Sequence, residues 1–267
     1  MPLARVRDID ICYEISGDGP RLLKIWGTGG DLRRPQTDFD RRLAACFTVL
    51  AFDQRGMGRS GKPDRPYTMA DYAEDAAGLM DAVGWDQAAV LGYSFGGMVA
   101  QELALRHAER VERLVLMSTS AGGAGGSSYP MHELAELPDE QRARRFLELG
   151  DSRRTPLWQA DHPAQWQSLM DDGLAALHLG TDDPATHQGA GRQLAARRAH
   201  DTWQRLPELR LPVSVCAGRH DAIAMPEVQR RLAGRIPGAA YREFDGGHVF
   251  FVQDSAAAPV IVEALGG

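Results

Sequence analysis

Short apolar runs recur along the chain, separated by helical patterns. "LLKIW", "FTVLAFD", "AAVLGYS", "RLVLMST" and "PVSVCAG" are nearly continuous in apolar residues. That composition suits strands covered on both faces of a parallel sheet. "ARVRDIDICYEIS" alternates instead and breaks at Ser16-Gly17-Asp18-Gly19-Pro20, which predicts an antiparallel pair or a bent strand. Thr68 and Asp71 form a capping box, and Tyr72, Ala76, Leu79, Met80 and Val83 follow at helical spacing before Gly84. "GGMVAQELALRHAERV" predicts a second helix directly after "LGYS". Strand followed by helix, repeated, predicts the α/β class with a mostly parallel, doubly wound sheet.

The alternation stops between residues 121 and 206. "AGGAGGSS" opens that stretch and reads as a flexible hinge. "DEQRARRFLELG", "AQWQSLMDDGLAAL" and "GRQLAARRAHDTWQRL" follow as helices with no strand signal, and strands resume at Pro212. The expected organisation is a core built from residues 1–120 and 207–267, with residues 121–206 inserted as a helical cap.

Composition narrows the function classes. The 267 residues are 43% hydrophobic and 25% charged, with a formal net charge of −6. A mildly acidic chain gives no electrostatic reason to expect nucleic acid or an anionic membrane as partner. No apolar run reaches transmembrane length, and "MPLARVRDID" has no apolar core of a secretory leader. A cytoplasmic protein acting on a small molecule is expected, with homo-oligomerisation left open. Cys12, Cys46 and Cys216 lie far apart, each in or beside an apolar run, and read as buried thiols rather than a disulfide or metal site. No metal or organic cofactor is expected.

The sharpest chemical signal is Gly92-Tyr93-Ser94-Phe95-Gly96, a G-x-S-x-G match between a predicted strand and a predicted helix. A serine nucleophile on such a tight turn needs a strained backbone and small neighbours. A serine also needs a base, and the base an orienting acid. Two later predicted strands each release a titratable group into a loop: Asp221 in "GRHDAIAMP" and His248 in "GGHVFF". The order Ser94, Asp221, His248 is the chain order of this class of triad. His220 adjoins Asp221, but neighbours in an extended segment point apart, so a structural role is assigned to it. Asp245 precedes two glycines and reads as a turn residue.

Two glycine-rich stretches resemble nucleotide-binding loops. "GMGRSG", Gly56 to Gly61, is a formal G-x-G-x-x-G match, yet Lys62-Pro63-Asp64-Arg65-Pro66 follows where a dinucleotide site needs a helix. "GTGGDL" ends in Leu32 and lacks the lysine and hydroxyl residue of a phosphate loop. It reads instead as a turn that aims backbone N–H groups at developing negative charge.

Taken together, "WGTGGD", "FDQRGMGRSGKP", "GYSFGG", "ERVERLVLMST", "AGRHDAIAMP" and "GGHVFF" resemble the α/β-hydrolase fold family, in family order and over the whole chain outside the insertion. Within that family the sequence looks closest to small serine esterases and enol-lactonase-like hydrolases. The resemblance implies Ser94 as nucleophile, Asp221 as acid and His248 as base. It implies an oxyanion hole from the backbone N–H groups of Phe95 and Thr28, and turn-holding roles for Asp53 and Arg55. Hydrolysis of an ester or lactone through an acyl-enzyme is the expected reaction. C–C bond hydrolysis, cofactor-free perhydrolysis or non-catalytic ligand binding on this fold are the alternatives. Trp26 stands where the family often has histidine. Trp26, Gly29, Val249, Tyr129, Trp158, Trp166 and Trp203, with Met131 and Met170, are the expected pocket residues, packing within the cap being the competing role for those beyond residue 120. Arg33 is a candidate partner for a substrate carboxylate, against a plain surface role.

Overall fold

The computed structural model describes residues 1–181 and 183–266. Among these, the strands are β1 Leu3–Val6, β2 Ile9–Ser16, β3 Arg21–Ile25, β4 Thr48–Phe52, β5 Ala88–Tyr93, β6 Val111–Met117, β7 Val213–Gly218 and β8 Ala240–Phe244. They form one sheet in the order β1-β2-β4-β3-β5-β6-β7-β8. β1 and β2 form an antiparallel hairpin, and β2 is antiparallel to β4. All remaining pairs are parallel. The alternating N-terminal segment is therefore the antiparallel edge, and the continuous apolar runs are the parallel strands.

The helices are α1 Asp38–Cys46, α2 Met69–Ala82, α3 Phe95–Arg106, α4 Met131–Leu134, α5 Asp139–Gly150, α6 Pro156–Asp161, α7 Pro163–His178, α8 Pro184–Arg198, α9 Pro226–Arg235, α10 Phe250–Gln253 and α11 Ala257–Leu265. The capping box of Thr68 and Asp71 starts α2, and Thr37 with Asp40 does the same for α1. One face of the sheet packs on α2, α3 and α9 through Tyr72, Leu79, Phe95, Leu103 and Leu232. The other packs on α1, α10 and α11 through Leu43, Phe250 and Ile261. β5 is buried along its whole length, and each such aliphatic side chain contributes about 1.5–3 kcal/mol of burial. No helix of the described residues is long and apolar enough to cross a membrane.

Parallel register collects the carboxyl ends of the strands at one edge. Ile25 pairs with Gly92, Tyr93 with Met117, Met117 with Cys216, and Gly218 with Phe244. The chain leaving β3 at Trp26 thus stands beside the chain leaving β5 at Ser94. The segments leaving β7 and β8 lead to Asp221 and His248 along the same edge.

Between β6 and β7 the described residues form α4 to α8 and no strand. α5 and α7 pack on each other through Leu147, Trp166 and Met170. α8 lies on the core. Gly189 abuts the Gly56 backbone so closely that a Cβ would strike it, and the Arg192 guanidinium donates to the Pro63 carbonyl at 3.0 Å. The glycine stretch at the entry is not the flexible hinge that its composition predicts. Gly122, Gly123 and Gly126 adopt φ of 72°, 51° and 92°, conformations that favour glycine. Gly122 is buried and bridges Asp201, and the Thr202 N–H donates to the Ala121 carbonyl at 2.9 Å. The glycines serve a close crossing of two segments, around Gly122 and Asp201, at the base of the insertion.

Candidate active site

Ser94 begins α3 with φ 54° and ψ −114°, a left-handed backbone that a β-carbon resists. The surroundings hold it there. Its N–H donates to the Met117 carbonyl at 2.8 Å, and its carbonyl accepts from the Thr119 hydroxyl at 2.8 Å. A Cβ on Gly92 would lie 2.5 Å from the Gly96 carbonyl oxygen, and one on Gly96 would run into the Ile25 carbonyl. Helix, strand and neighbouring loop meet here with room for hydrogen only. That is the steric content of G-x-S-x-G.

Three side chains line up on this edge. The Ser94 hydroxyl donates to His248 Nε2 at 3.0 Å, and His248 Nδ1–H donates to Asp221 Oδ2 at 2.8 Å. The other Asp221 oxygen accepts from the Ile223 and Ala224 N–H groups at 2.8 and 2.9 Å. The carboxylate is therefore fixed at both oxygens, and it sets which nitrogen of the ring carries the proton. His248 is held from its backbone as well. Its N–H donates to the Gly150 carbonyl at 2.6 Å, and its carbonyl accepts from the Ser118 hydroxyl at 2.8 Å. Exposures of 7%, 2% and 3% for Ser94, Asp221 and His248 keep the chain largely out of water. His220 turns away and meets Asp245 at 3.2 Å, because it lies in the tight turn after β7, closed by the Asp221 N–H on the Gly218 carbonyl, rather than in the extended segment expected.

Ser94 and His248 open into a cavity of about 150 Å³ lined also by Gly27, Thr28, Tyr93, Val249 and Ile223. The N–H groups of Thr28 and Phe95 have no acceptor among the described residues, which leaves two backbone donors beside Ser94. The Gly29 N–H is not a third, since it donates to the Gln193 carboxamide oxygen on α8 at 2.9 Å. Asp53 holds the same loop from below. Its carboxylate accepts from the Leu32 N–H at 2.7 Å and the Arg59 N–H at 2.8 Å. Arg55 is fully buried and pairs with Asp75 and Asp8, and together with Arg65 it keeps Asp8 near pKa 2.

Trp26 forms a wall of the cavity. Its indole packs on Tyr93 and Phe251, with ring centroids 5.1 and 5.9 Å apart, and Lys24 Nζ lies 5.0 Å over its ring. The pocket expected from sequence needs correction elsewhere. Trp158 stacks on His162 at 4.7 Å, and Trp166 and Met170 lie in the small core between α5 and α7. Trp203 packs against Gly125 beneath Arg235. Tyr129 faces an adjoining cavity, and Gly29 is absent from the lining. An inserted helical segment must bury apolar surface of its own, and Trp158 and Trp166 are spent there, while Trp203 packs against the main core. Arg33 pairs with Asp31 at 2.5 Å. Its neighbour Arg34 lines the Ser94 cavity, with one guanidinium nitrogen on the Gly29 carbonyl at 3.0 Å and Nε buried without a partner. From the insertion, Met131 and Phe146 reach the cavity. Sequence reasoning missed Arg34, Tyr93, Phe146, Ile223 and Gln193. Nothing in the pattern of an amphipathic helix marks which of its polar residues will meet a loop far away in sequence.

A family model described as "alpha/beta hydrolase fold" matches residues 26–255. The chain is 32% identical over 261 residues to a putative carbamate hydrolase RutD of Azorhizobium caulinodans, covering 94% of this chain and 92% of that protein. It is 30% identical over 230 residues to the poly(3-hydroxyalkanoate) depolymerase of Ectopseudomonas oleovorans, covering 85% and 78%. The crystal structure of the enol-lactonase from Burkholderia xenovorans LB400 superposes with a TM-score of 0.80 at 29% identity, over the whole of both chains. The likeness spans core and insertion alike: this chain belongs to the α/β-hydrolase fold family, and it is a hydrolase.

Proposed function

We propose that the protein is a serine hydrolase that cleaves a small carboxylic ester or lactone through an acyl-enzyme. The observation that carries this reading is the hydrogen-bonded chain Ser94–His248–Asp221, closed at 3.0 and 2.8 Å and opening into a cavity beside two unclaimed backbone N–H groups. His248 takes the Ser94 proton as the oxygen attacks the carbonyl carbon. Asp221 orients the ring and stabilises the imidazolium that forms. The Thr28 and Phe95 N–H groups receive the oxyanion, each such donor contributing about 2.7–4 kcal/mol in enzymes where one has been removed. His248 returns the proton to the leaving oxygen. It then activates a water that frees the acid.

Residues 121–206 act in this reading as a cap. Met131 and Phe146 supply apolar walls, and Gln193 fixes the loop that carries Thr28. A cavity of about 150 Å³ suits a short acyl or lactone ring rather than a polymer chain. The enol-lactonase likeness over both whole chains favours a lactone or enol ester. A carbamate is the second reading, favoured by the relative named as a putative carbamate hydrolase. Both bonds use the same attack, and they differ in the group left on Ser94, an acyl ester in one case and a carbamoyl ester in the other. Turnover of short-chain aryl esters, lactones and aryl carbamates by wild type and Ser94→Ala tests the reading. The expected result is an initial burst with an ester or lactone, absent in the variant. Equal activity in the two proteins would refute it.

A further inference from the structure

The segment from Tyr129 to His132 is a partition. Met131 faces the Ser94 cavity, while Tyr129, Pro130 and His132 face a second cavity of about 200 Å³. Arg197 of α8 lines this second space and is only 7% exposed. Its guanidinium donates to the Tyr129 carbonyl at 2.9 Å and the Ser128 hydroxyl at 2.7 Å, and its buried Nε has no acceptor. No carboxylate among the described residues pairs with it, and burial pulls its pKa down to about 10. A guanidinium buried without an acid is costly to keep. The rest of the lining adds donors and no acid: Ser120, Ser127, Ser128, His132, Arg198 and His200. His200 is 5% exposed, and its ring lies against the Ser120 backbone with no well-formed hydrogen bond at either nitrogen.

A cavity with one deeply buried cation, a second guanidinium (Arg198) exposed at its edge, hydroxyl and imidazole donors around them and no negative group is complementary to a negative charge carried on a small molecule. A planar carboxylate matches the fork of a guanidinium, whereas a phosphate dianion calls for more buried positive charge. We propose that this cavity binds a small organic monocarboxylate, held by Arg197, at a site separate from the Ser94 cavity. The inference does not depend on the chemistry assigned to Ser94, because binding is read without turnover.

The test titrates the intact protein with sodium propionate at constant ionic strength and follows the thermal midpoint, since a ligand of the native state raises it by mass action. Propionamide, of the same shape without the charge, is the control. Propionate is expected to raise the midpoint saturably at millimolar concentration in wild type, in Ser94→Ala and in Arg34→Met, while propionamide does not. Arg197→Lys is expected to weaken binding about tenfold by losing the two-pronged contact, and Arg197→Met to abolish it. The Arg34→Met arm separates this site from the other cavity-lining guanidinium. Binding lost in Arg34→Met and kept in Arg197→Lys would overturn the proposal. So would stabilisation by phosphate but not propionate, or no saturable shift in the wild type. If Arg197→Met fails to fold, the wild-type, propionamide, Arg34→Met and Arg197→Lys arms still decide.

Discussion

Ser94 stands in a left-handed conformation that a non-glycine residue adopts at a cost of about 1–3 kcal/mol. The strain is held by Met117, Thr119 and the two glycines around it, and it projects the hydroxyl toward His248. Asp221 acts on the same ring from the far side, and it spends its second oxygen on two N–H groups of its own loop. Asp221→Asn keeps that shape and reverses the hydrogen-bonding demand at Nδ1. In the proposed mechanism the change should lower kcat about 10⁴-fold with KM for the same ester little altered. Steady-state kinetics on an aryl ester checks this, and an unchanged kcat would remove Asp221 from the mechanism. At this scale much was legible in the sequence, because Ser94 and Asp221 each follow an apolar run that reads as a buried strand, and His248 follows two glycines after the more polar strand Ala240–Phe244. Arg34 was not legible. Two adjacent arginines look alike in a loop, and only the fold decides that Arg33 meets Asp31 while Arg34 lines the cavity.

The elements that matter most are loops pinned by single polar contacts. The loop from Trp26 to Leu32 is held by Gln193 of α8 at Gly29 and by Asp53 at Leu32. Gln193→Leu leaves the Gly29 N–H without its partner, a loss of about 1–3 kcal/mol if the group stays dry. The expected result is a fall in kcat with KM nearly constant, because the loop carries the proposed Thr28 donor. A mere weakening of substrate binding would raise KM instead. Gly96→Ala pushes a methyl group into the Ile25 and Trp26 carbonyls. Overpacking of this kind costs about 1–3 kcal/mol, so calorimetry should find the thermal midpoint lowered by roughly 2–4 °C per kcal/mol. An undiminished midpoint would mean that strand and helix are less tightly fitted than they stand. The strand–helix alternation and the capping box of Thr68 and Asp71 followed from local pattern. The hinge did not, since glycine composition cannot distinguish a loose segment from a tight crossing such as Gly122 on Asp201.

Across the whole molecule, the insertion and the core are joined by buried polar groups that respond to pH. His200 sits near the base of the insertion, and burial pulls its pKa down from 6.5 to about 4. Below pH about 6.5 the unfolded chain takes up a proton that the native ring refuses, so stability is full above that pH and falls as pH drops toward 4. The loss reaches about 3 kcal/mol for this group. His200→Phe should flatten the pH dependence of the thermal midpoint between those values, and an unaltered slope would assign the acid sensitivity to other groups. The doubly wound sheet was legible because parallel strands must be apolar on both faces. The lining of the cavity was legible only in part: Trp26, Val249 and Met131 were expected there and line it, whereas Trp158 and Trp166 are taken up in packing within the insertion, and Arg34, Phe146 and Ile223 carry no signal in the sequence. The central claim is that Ser94 is a nucleophile activated by His248. Its most direct test is labelling with a fluorophosphonate, followed by peptide mass spectrometry, in wild type and His248→Ala. One adduct per chain on Ser94, formed far more slowly in the variant, is the predicted result; an adduct elsewhere, none at all, or equal rates in both proteins would contradict it.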